Sequence, residues 1–148
     1  MVSKYYHLEV PIIDGSPRLR LGWGVYIFYP FCGQCKKQLF DARPVDLDKS
    51  AFDRNLAYNS IPVVVDFWAS WCGPCKMMAL AFAQAAATLE PHARLVKLNT
   101  ELEGEVAGRY GIRSIPTMIV FNNGQEVARQ SGAMNAQAII NWVRSAAG

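Results

Sequence analysis

The sequence has no apolar run long enough to cross a membrane. Its longest, residues 21–31, has 11 residues, against about 20 for a bilayer-spanning helix. It also lacks an excess of charge of either sign. The 15 basic and 12 acidic residues leave a net charge of +3, too weak to argue for nucleic acid. Residues 1–50 carry 7 basic and 5 acidic side chains and residues 51–148 carry 8 and 7, so neither part is a basic tail. Histidine is scarce, with only His7 and His92. The four cysteines make two C-x-x-C pairs and nothing else, which is not the pattern of a secreted disulfide scaffold. Arg18 and Arg20 before the apolar run imitate a signal peptide. Acidic residues precede that run, however, and no small-x-small cleavage site follows it, so the expected location is the cytoplasm. Charged residues are 18% of the chain and hydrophobic ones 51%, a composition that folds rather than stays disordered. A length of 148 residues suits one domain with a small appendage.

What is present centres on residues 66–76, Asp66-Phe67-Trp68-Ala69-Ser70-Trp71-Cys72-Gly73-Pro74-Cys75-Lys76. The β-branched run Val63-Val64-Val65 reads as a central strand covered on both faces. It leads through a short turn into a helix, with the two cysteines at the junction. Positions i and i+3 share a helix face, and one helical turn supplies the Cα separation that a disulfide needs. Pro74 suits a first helical turn, where its missing N–H costs nothing. The unpaired N–H groups and partial positive charge of a helix start favour thiolate over thiol, making Cys72 the nucleophile. Cys75, deeper in the helix, is placed to attack a mixed disulfide. The chemistry implied is thiol–disulfide exchange. A zinc site at this pair would need two further ligands, and residues 66–98 offer only His92. A structural bridge is the other alternative, and cytosolic proteins rarely keep one.

Asp66 stands in an apolar strand between Val65 and Phe67, where desolvation raises a carboxyl pKa. It can take the proton of Cys75 during resolution, directly or through water. The plainer alternative is a solvated strand end. Lys97, the only charge between Leu95 and Leu98, lies on a strand expected beside that of Asp66; otherwise it is an ordinary outward-facing lysine. Pro116, between Ile115 and Thr117, marks a bend where a strand begins.

These words resemble the thioredoxin family. Trp71-Cys72-Gly73-Pro74-Cys75-Lys76 resembles its active site, and so, in order and spacing, do Asp66-Phe67-Trp68-Ala69 before it and Ser114-Ile115-Pro116-Thr117 after it. The similarity runs from about Val45 to the C-terminus. It implies an α/β thioredoxin fold, a central mixed sheet flanked by helices, and a protein-disulfide reductase whose Gly-Pro dipeptide matches the reducing members. An oxidase or isomerase, or a fold used as a binding clamp, are the alternatives. The resemblance makes Asp66 the buried acid and pairs Lys97 with it. It puts Pro116 in the cis form facing the disulfide, where it keeps metals off the thiols. It assigns Trp71, Gly73, Pro74, Ile115, Gly132 and Ala133 to the substrate groove, Ile115 offering its backbone to an extended segment. No cofactor beyond the Cys72–Cys75 disulfide is implied. The partners would be disulfide-bearing proteins and an NADPH-dependent thioredoxin reductase, with no nucleic acid, no membrane and a monomeric chain. Leu80 departs from the family, which usually carries a helix-kinking proline there.

Residues 1–43 read as an appendage and 44–148 as the thioredoxin domain. Within the appendage Asp14-Gly15-Ser16-Pro17 is a turn signal, and Trp23, Val25, Ile27 and Tyr29 suggest a short strand. Phe31-Cys32-Gly33-Gln34-Cys35-Lys36 is similar to one half of the zinc ribbon carried by the bacterial thioredoxin 2 subgroup. The other half is missing, since residues 1–31 contain no cysteine and zinc wants four ligands. No bound metal is expected. A relic knuckle, free or oxidised, and zinc shared across a dimer both remain open.

Further along, Val45-Asp46-Leu47 reads as a short strand, followed by a helix capped by Asp48 or Ser50. Helix two runs over 73–89 and a strand over 93–99. A weak helix spans 101–110, and strands over 117–121 and 125–129 flank an Asn-Asn-Gly turn. A last helix covers 135–146. The order is summarised as βαβαββα behind the appendage.

Overall fold

The computed structural model describes residues 40–147. Nine elements follow one another: β1 (Val45–Asp46), α1 (Lys49–Tyr58), β2 (Val63–Trp68), α2 (Gly73–Leu89), β3 (Arg94–Asn99), α3 (Gly104–Arg109), β4 (Thr117–Asn122), β5 (Gln125–Ser131) and α4 (Ala136–Ala147). The order βαβαββα therefore holds from β2 onward, with β1 and α1 standing in front of it. The five strands form one mixed sheet in the order β1-β3-β2-β4-β5. β3 runs parallel to both β1 and β2, whereas β4 is antiparallel to β2 and β5.

Alternation along β2 splits the core. Val63, Val65 and Phe67 join Phe52 of α1, Val106 of α3 and Phe121 in one layer. Val64 joins Met78, Phe82 and Ala85 of α2 and Ile139 and Val143 of α4 in the other. Because strand side chains alternate between faces, Asp66 is directed to the α2 side of the sheet. Burying a side chain of the size of Phe82, which is fully covered, contributes about 1.5–3 kcal/mol. Here it also ties α2 to the sheet.

Local signals explain the ends. Asp48 caps α1, its Oδ1 accepting the Ala51 N–H at 2.7 Å. α2 runs unbroken over Gly73–Leu89 with Leu80 exposed on it, and Glu90 closes it just before Pro91. Asn135 Oδ1 accepts the Ala138 N–H at 2.8 Å and starts α4 one residue later than its sequence pattern suggests. β5 is two residues longer than expected because it pairs with β4 as far as Thr117↔Ser131. At the far end of α2, Arg94 and Glu90 form a buried ion pair at 3.0 Å. Glu90 Oε2 accepts the Ala42 N–H at 3.0 Å, and the Arg94 guanidinium stacks 5.4 Å from the ring of buried Phe40. The chain entering β1 is thus fastened about 25 Å, one α2 length of 17 residues, from the start of that helix. The turn and strand expected within residues 14–29, and the Cys32/Cys35 pair, lie outside the described residues.

Candidate active site

The turn from β2 into α2 makes Cys72 the N-cap residue and puts Pro74 in the first helical turn. Cys72 and Cys75 are joined as a disulfide with Cα atoms 5.3 Å apart. Cys72 Sγ accepts the Cys75 backbone N–H at 3.2 Å. The sulfur thereby takes the place of a capping oxygen and receives one of the otherwise unpaired donors of the helix. In the dithiol state the same donor and the helix dipole favour negative charge on that sulfur. Both cysteines are nearly covered, at 2% and 3% exposure. Trp71, 69% exposed, and the exposed Gly73 and Pro74 surround them.

A second loop closes over the pair. The Ile115–Pro116 peptide is cis, and the Ile115 carbonyl oxygen lies 3.7 Å from Cys72 Sγ. The Thr117 hydroxyl donates to the Ser114 carbonyl at 2.8 Å and lies 2.9 Å from Ser131 Oγ, fixing this loop to β5. The Gly132 N–H donates to the Pro116 carbonyl at 2.9 Å. Gly132 has φ 95°, a left-handed conformation that favours glycine, so the turn into the exposed Ala133 is set beside Pro116. The structure therefore brings Trp71, Cys72, Gly73, Pro74, Cys75, Ile115, Pro116 and Gly132 together from three separate stretches of chain.

Asp66 lies beneath, 1% exposed, and both its carboxylate oxygens lack a hydrogen-bond partner. Burial pushes its pKa up from 3.8 to about 7. The charge of Lys97 opposes that rise and the charge of Asp46 adds to it. Lys97 is the register partner of Asp66 on β3, but its ammonium is not hydrogen-bonded to the carboxylate. It sits 4.0 Å from the centroid of the Trp68 ring, a cation–π contact worth about 0.5–2 kcal/mol.

One support escaped the sequence reading. Glu101 Oε2 accepts both the Ser70 N–H at 3.0 Å and the Ser70 hydroxyl at 2.6 Å. These bonds hold the turn just before Cys72 and draw the Glu101 carboxyl below its usual value, the hydroxyl bond being the largest cause. Ser70 and Glu101 are 31 residues apart, and no local pattern links them. Among the described residues, no group of three or more His, Cys, Asp or Glu side chains could hold a metal ion.

The sequence model of the family described as Thioredoxin matches residues 43–145. The chain belongs to the thioredoxin family. Thioredoxin C-3 of Corynebacterium nephridii is 39% identical over 115 residues, covering 78% of this chain and 79% of that protein. Thioredoxin 1 of Synechococcus elongatus is 42% identical over 92 residues, covering 62% and 86%. Among solved structures, a single-substitution mutant of thioredoxin from Halobacterium salinarum NRC-1 superposes with a TM-score of 0.66 at 25% identity, over 74% of this chain and 95% of that one. A disulfide at the start of α2 in a thioredoxin-family chain is the redox centre of a thiol–disulfide reductase. Thioredoxins act on disulfide-bearing substrates and are returned to the dithiol by thioredoxin reductase.

Proposed function

We propose that this thioredoxin-family reductase works through Cys72 as nucleophile, Cys75 as resolving thiol and Asp66 as proton acceptor. The observation that carries the reading is Cys72 Sγ in the cap position of α2, receiving the Cys75 N–H. The Cys72 thiolate attacks one sulfur of a substrate disulfide. That bond breaks, and its electron pair leaves on the other substrate sulfur, which takes up a proton. Cys75 then passes its proton to Asp66 and attacks Cys72 Sγ. The bond between Cys72 and the substrate breaks, its electron pair departs on the second substrate sulfur, and the Cys72–Cys75 disulfide remains. Two electrons have moved from protein to substrate.

Asp66 suits its role because burial brings its pKa to about 7, so it can take and return a proton near neutral pH. Lys97 contributes positive charge on the same face of the sheet. Ile115 and Gly132, joined through Pro116, offer an exposed backbone edge to an extended substrate segment, while Trp71, Gly73, Pro74 and Ala133 supply the rest of the groove. Residues 44–148 form the catalytic domain and residues 1–43 an appendage that takes no part in the chemistry. The chain acts as a monomer in the cytoplasm with an NADPH-dependent thioredoxin reductase, and the reaction needs no metal. Among the described residues, no helix is long and apolar enough to cross a membrane.

The test is reduction of insulin disulfides by dithiothreitol-charged protein. Wild type should turn over and Cys72→Ser should not. Wild-type protein that fails to reduce insulin, with partner binding unchanged by Cys72→Ser, would make the fold a binding clamp. A measured potential near the oxidising end of the family's range, about −120 mV rather than about −270 mV, would make the protein an oxidase.

A further inference from the structure

Strand register lines up three charged residues across the sheet. Asp46 of β1 pairs with Lys97 of β3, and Lys97 pairs with Asp66 of β2. Partners in parallel strands point to the same face. That face is the α2 side, since Val64 and Leu95, two residues before Asp66 and Lys97, pack there with Met78 and Phe82. On its other flank Asp66 meets Met118 of β4, which carries no charge. α2 turns Cys75, Met78 and Phe82 inward on this side, and α4 turns Ile139 and Val143. The charges facing Asp66 are thus Lys97 and, one strand further, Asp46.

The Lys97 ammonium is committed to neither carboxylate. It rests over the Trp68 ring at 4.0 Å. Trp68 and Asp46 line one cavity of about 400 Å³, whose wall also carries the carboxylates of Asp48 and Glu103. One end of the row is therefore exposed and acidic, and the other end is an acid sealed from water and without hydrogen bonds.

We propose that Asp46 is a positioning residue for the resolving step: its carboxylate competes with Asp66 for the Lys97 ammonium and so sets how readily Asp66 takes and returns a proton. The proposal rests on Asp66 being the proton acceptor for Cys75. Asp46 makes and breaks no bond. Its charge draws the cation toward the solvent end of the row, where less of the lysine's charge reaches Asp66. The electrostatics run the same way, with Asp46 raising the Asp66 pKa and Lys97 lowering it, both behind burial as the main cause. Two strand spacings put Asp46 about 10 Å from Asp66, where direct repulsion between unit charges in a medium between protein and water accounts for about 0.3–0.6 pH unit; competition for Lys97 adds to that.

The experiment follows the Asp66 carboxyl carbon by ¹³C NMR against pH in the oxidised protein, where neither Cys72 nor Cys75 titrates. Single-turnover rates of disulfide reduction are measured over the same pH range. Asp46→Asn should lower the Asp66 midpoint by more than the about 0.3–0.6 unit of direct repulsion and move the pH–rate profile equally. Asp46→Glu should restore both. The shift should shrink in 1 M KCl, where charges are screened beyond about 3 Å, and it should also be smaller in a Lys97→Met background. Asp46 is exposed on a two-residue edge strand, and circular dichroism checks that each variant is folded. An Asp66 midpoint unmoved by Asp46→Asn overturns the proposal, as does an undiminished shift in the Lys97→Met background, which would be simple repulsion without competition. Asp66→Asn with an unaltered pH–rate profile would instead sink the acceptor role on which the proposal rests. An unmoved midpoint beside a normal Asp66→Asn defect would sink the proposal alone.

Discussion

Replacing Asp66 by Asn should make the oxidised protein more stable, and increasingly so as pH rises. The folded protein holds the Asp66 proton up to about pH 7, whereas the unstructured chain releases it near 3.8. Between those values the native state binds up to one more proton than the unfolded state, so stability falls as pH rises through this window. Above pH 7 the full penalty of a buried carboxylate is present. A shift of about 3 units at 1.36 kcal/mol each amounts to about 4 kcal/mol. Asn is neutral throughout, as the protonated acid is, so the cost of burying a neutral polar group largely cancels from the pH-dependent part. Urea unfolding of both oxidised proteins at several pH values from about 4 to 8.5 measures the difference, and titrations shared by the two cancel. The stability difference should be small near pH 4, climb by at most about 1.4 kcal/mol per pH unit, and level off above pH 7. A difference that does not change with pH would refute the reasoning, for it would mean that Asp66 titrates alike in both states.

Three further expectations follow from the same geometry. The reduced Cys72 thiol should alkylate with a pH midpoint below the free value of about 8.5, because its sulfur sits at the α2 N-terminus; iodoacetamide rates against pH measure this, and a midpoint at or above the free value removes the nucleophile assignment. Deleting residues 1–43 should cost about 2–3 kcal/mol in urea unfolding, chiefly through loss of buried Phe40, and leave insulin reduction within a few fold, since Phe40 and Ala42 are fastened at the far end of α2. A folded truncation without activity would contradict this. Phe82→Ala should cost about 3–5 kcal/mol by opening a cavity between α2 and the sheet, and an undiminished urea midpoint would show that α2 is held by something else.

Local signals were enough to read most of this fold. Val63 to Phe67 is a β-branched and aromatic run that suits only a strand covered on both faces, and α2 begins at a proline-bearing turn and ends before Pro91. Cys72, Cys75 and Asp66 could be chosen from spacing and chemistry, whereas Pro116 was assigned through the resemblance to thioredoxins; the structure makes the Ile115–Pro116 peptide cis with the Ile115 carbonyl 3.7 Å from Cys72 Sγ, and buries Asp66. Other features depend on where distant segments meet. Two-residue β1 carries no pattern from which its register against β3 could be read, so the row Asp46–Lys97–Asp66 was hidden. A lysine reaching toward an acid was the simple expectation for Lys97; its long, flexible side chain instead lies on the Trp68 ring, a choice made by tertiary packing. The Ser70–Glu101 clasp and the docking of Phe40 and Ala42 on Arg94 and Glu90 likewise join segments 31 and 48 or more residues apart.

The central claim is that Cys72 attacks and Cys75 resolves. Its most direct test is Cys75→Ser, incubated in the reduced state with a disulfide-bearing protein such as insulin and analysed by non-reducing mass spectrometry. The mechanism predicts a stable mixed disulfide carrying one substrate chain on Cys72, because the thiol that would release it is gone, and no such adduct on Cys72→Ser. Adducts that accumulate on Cys75 of the Cys72→Ser protein, with none on Cys72 of the Cys75→Ser protein, would reverse the two roles and contradict the account.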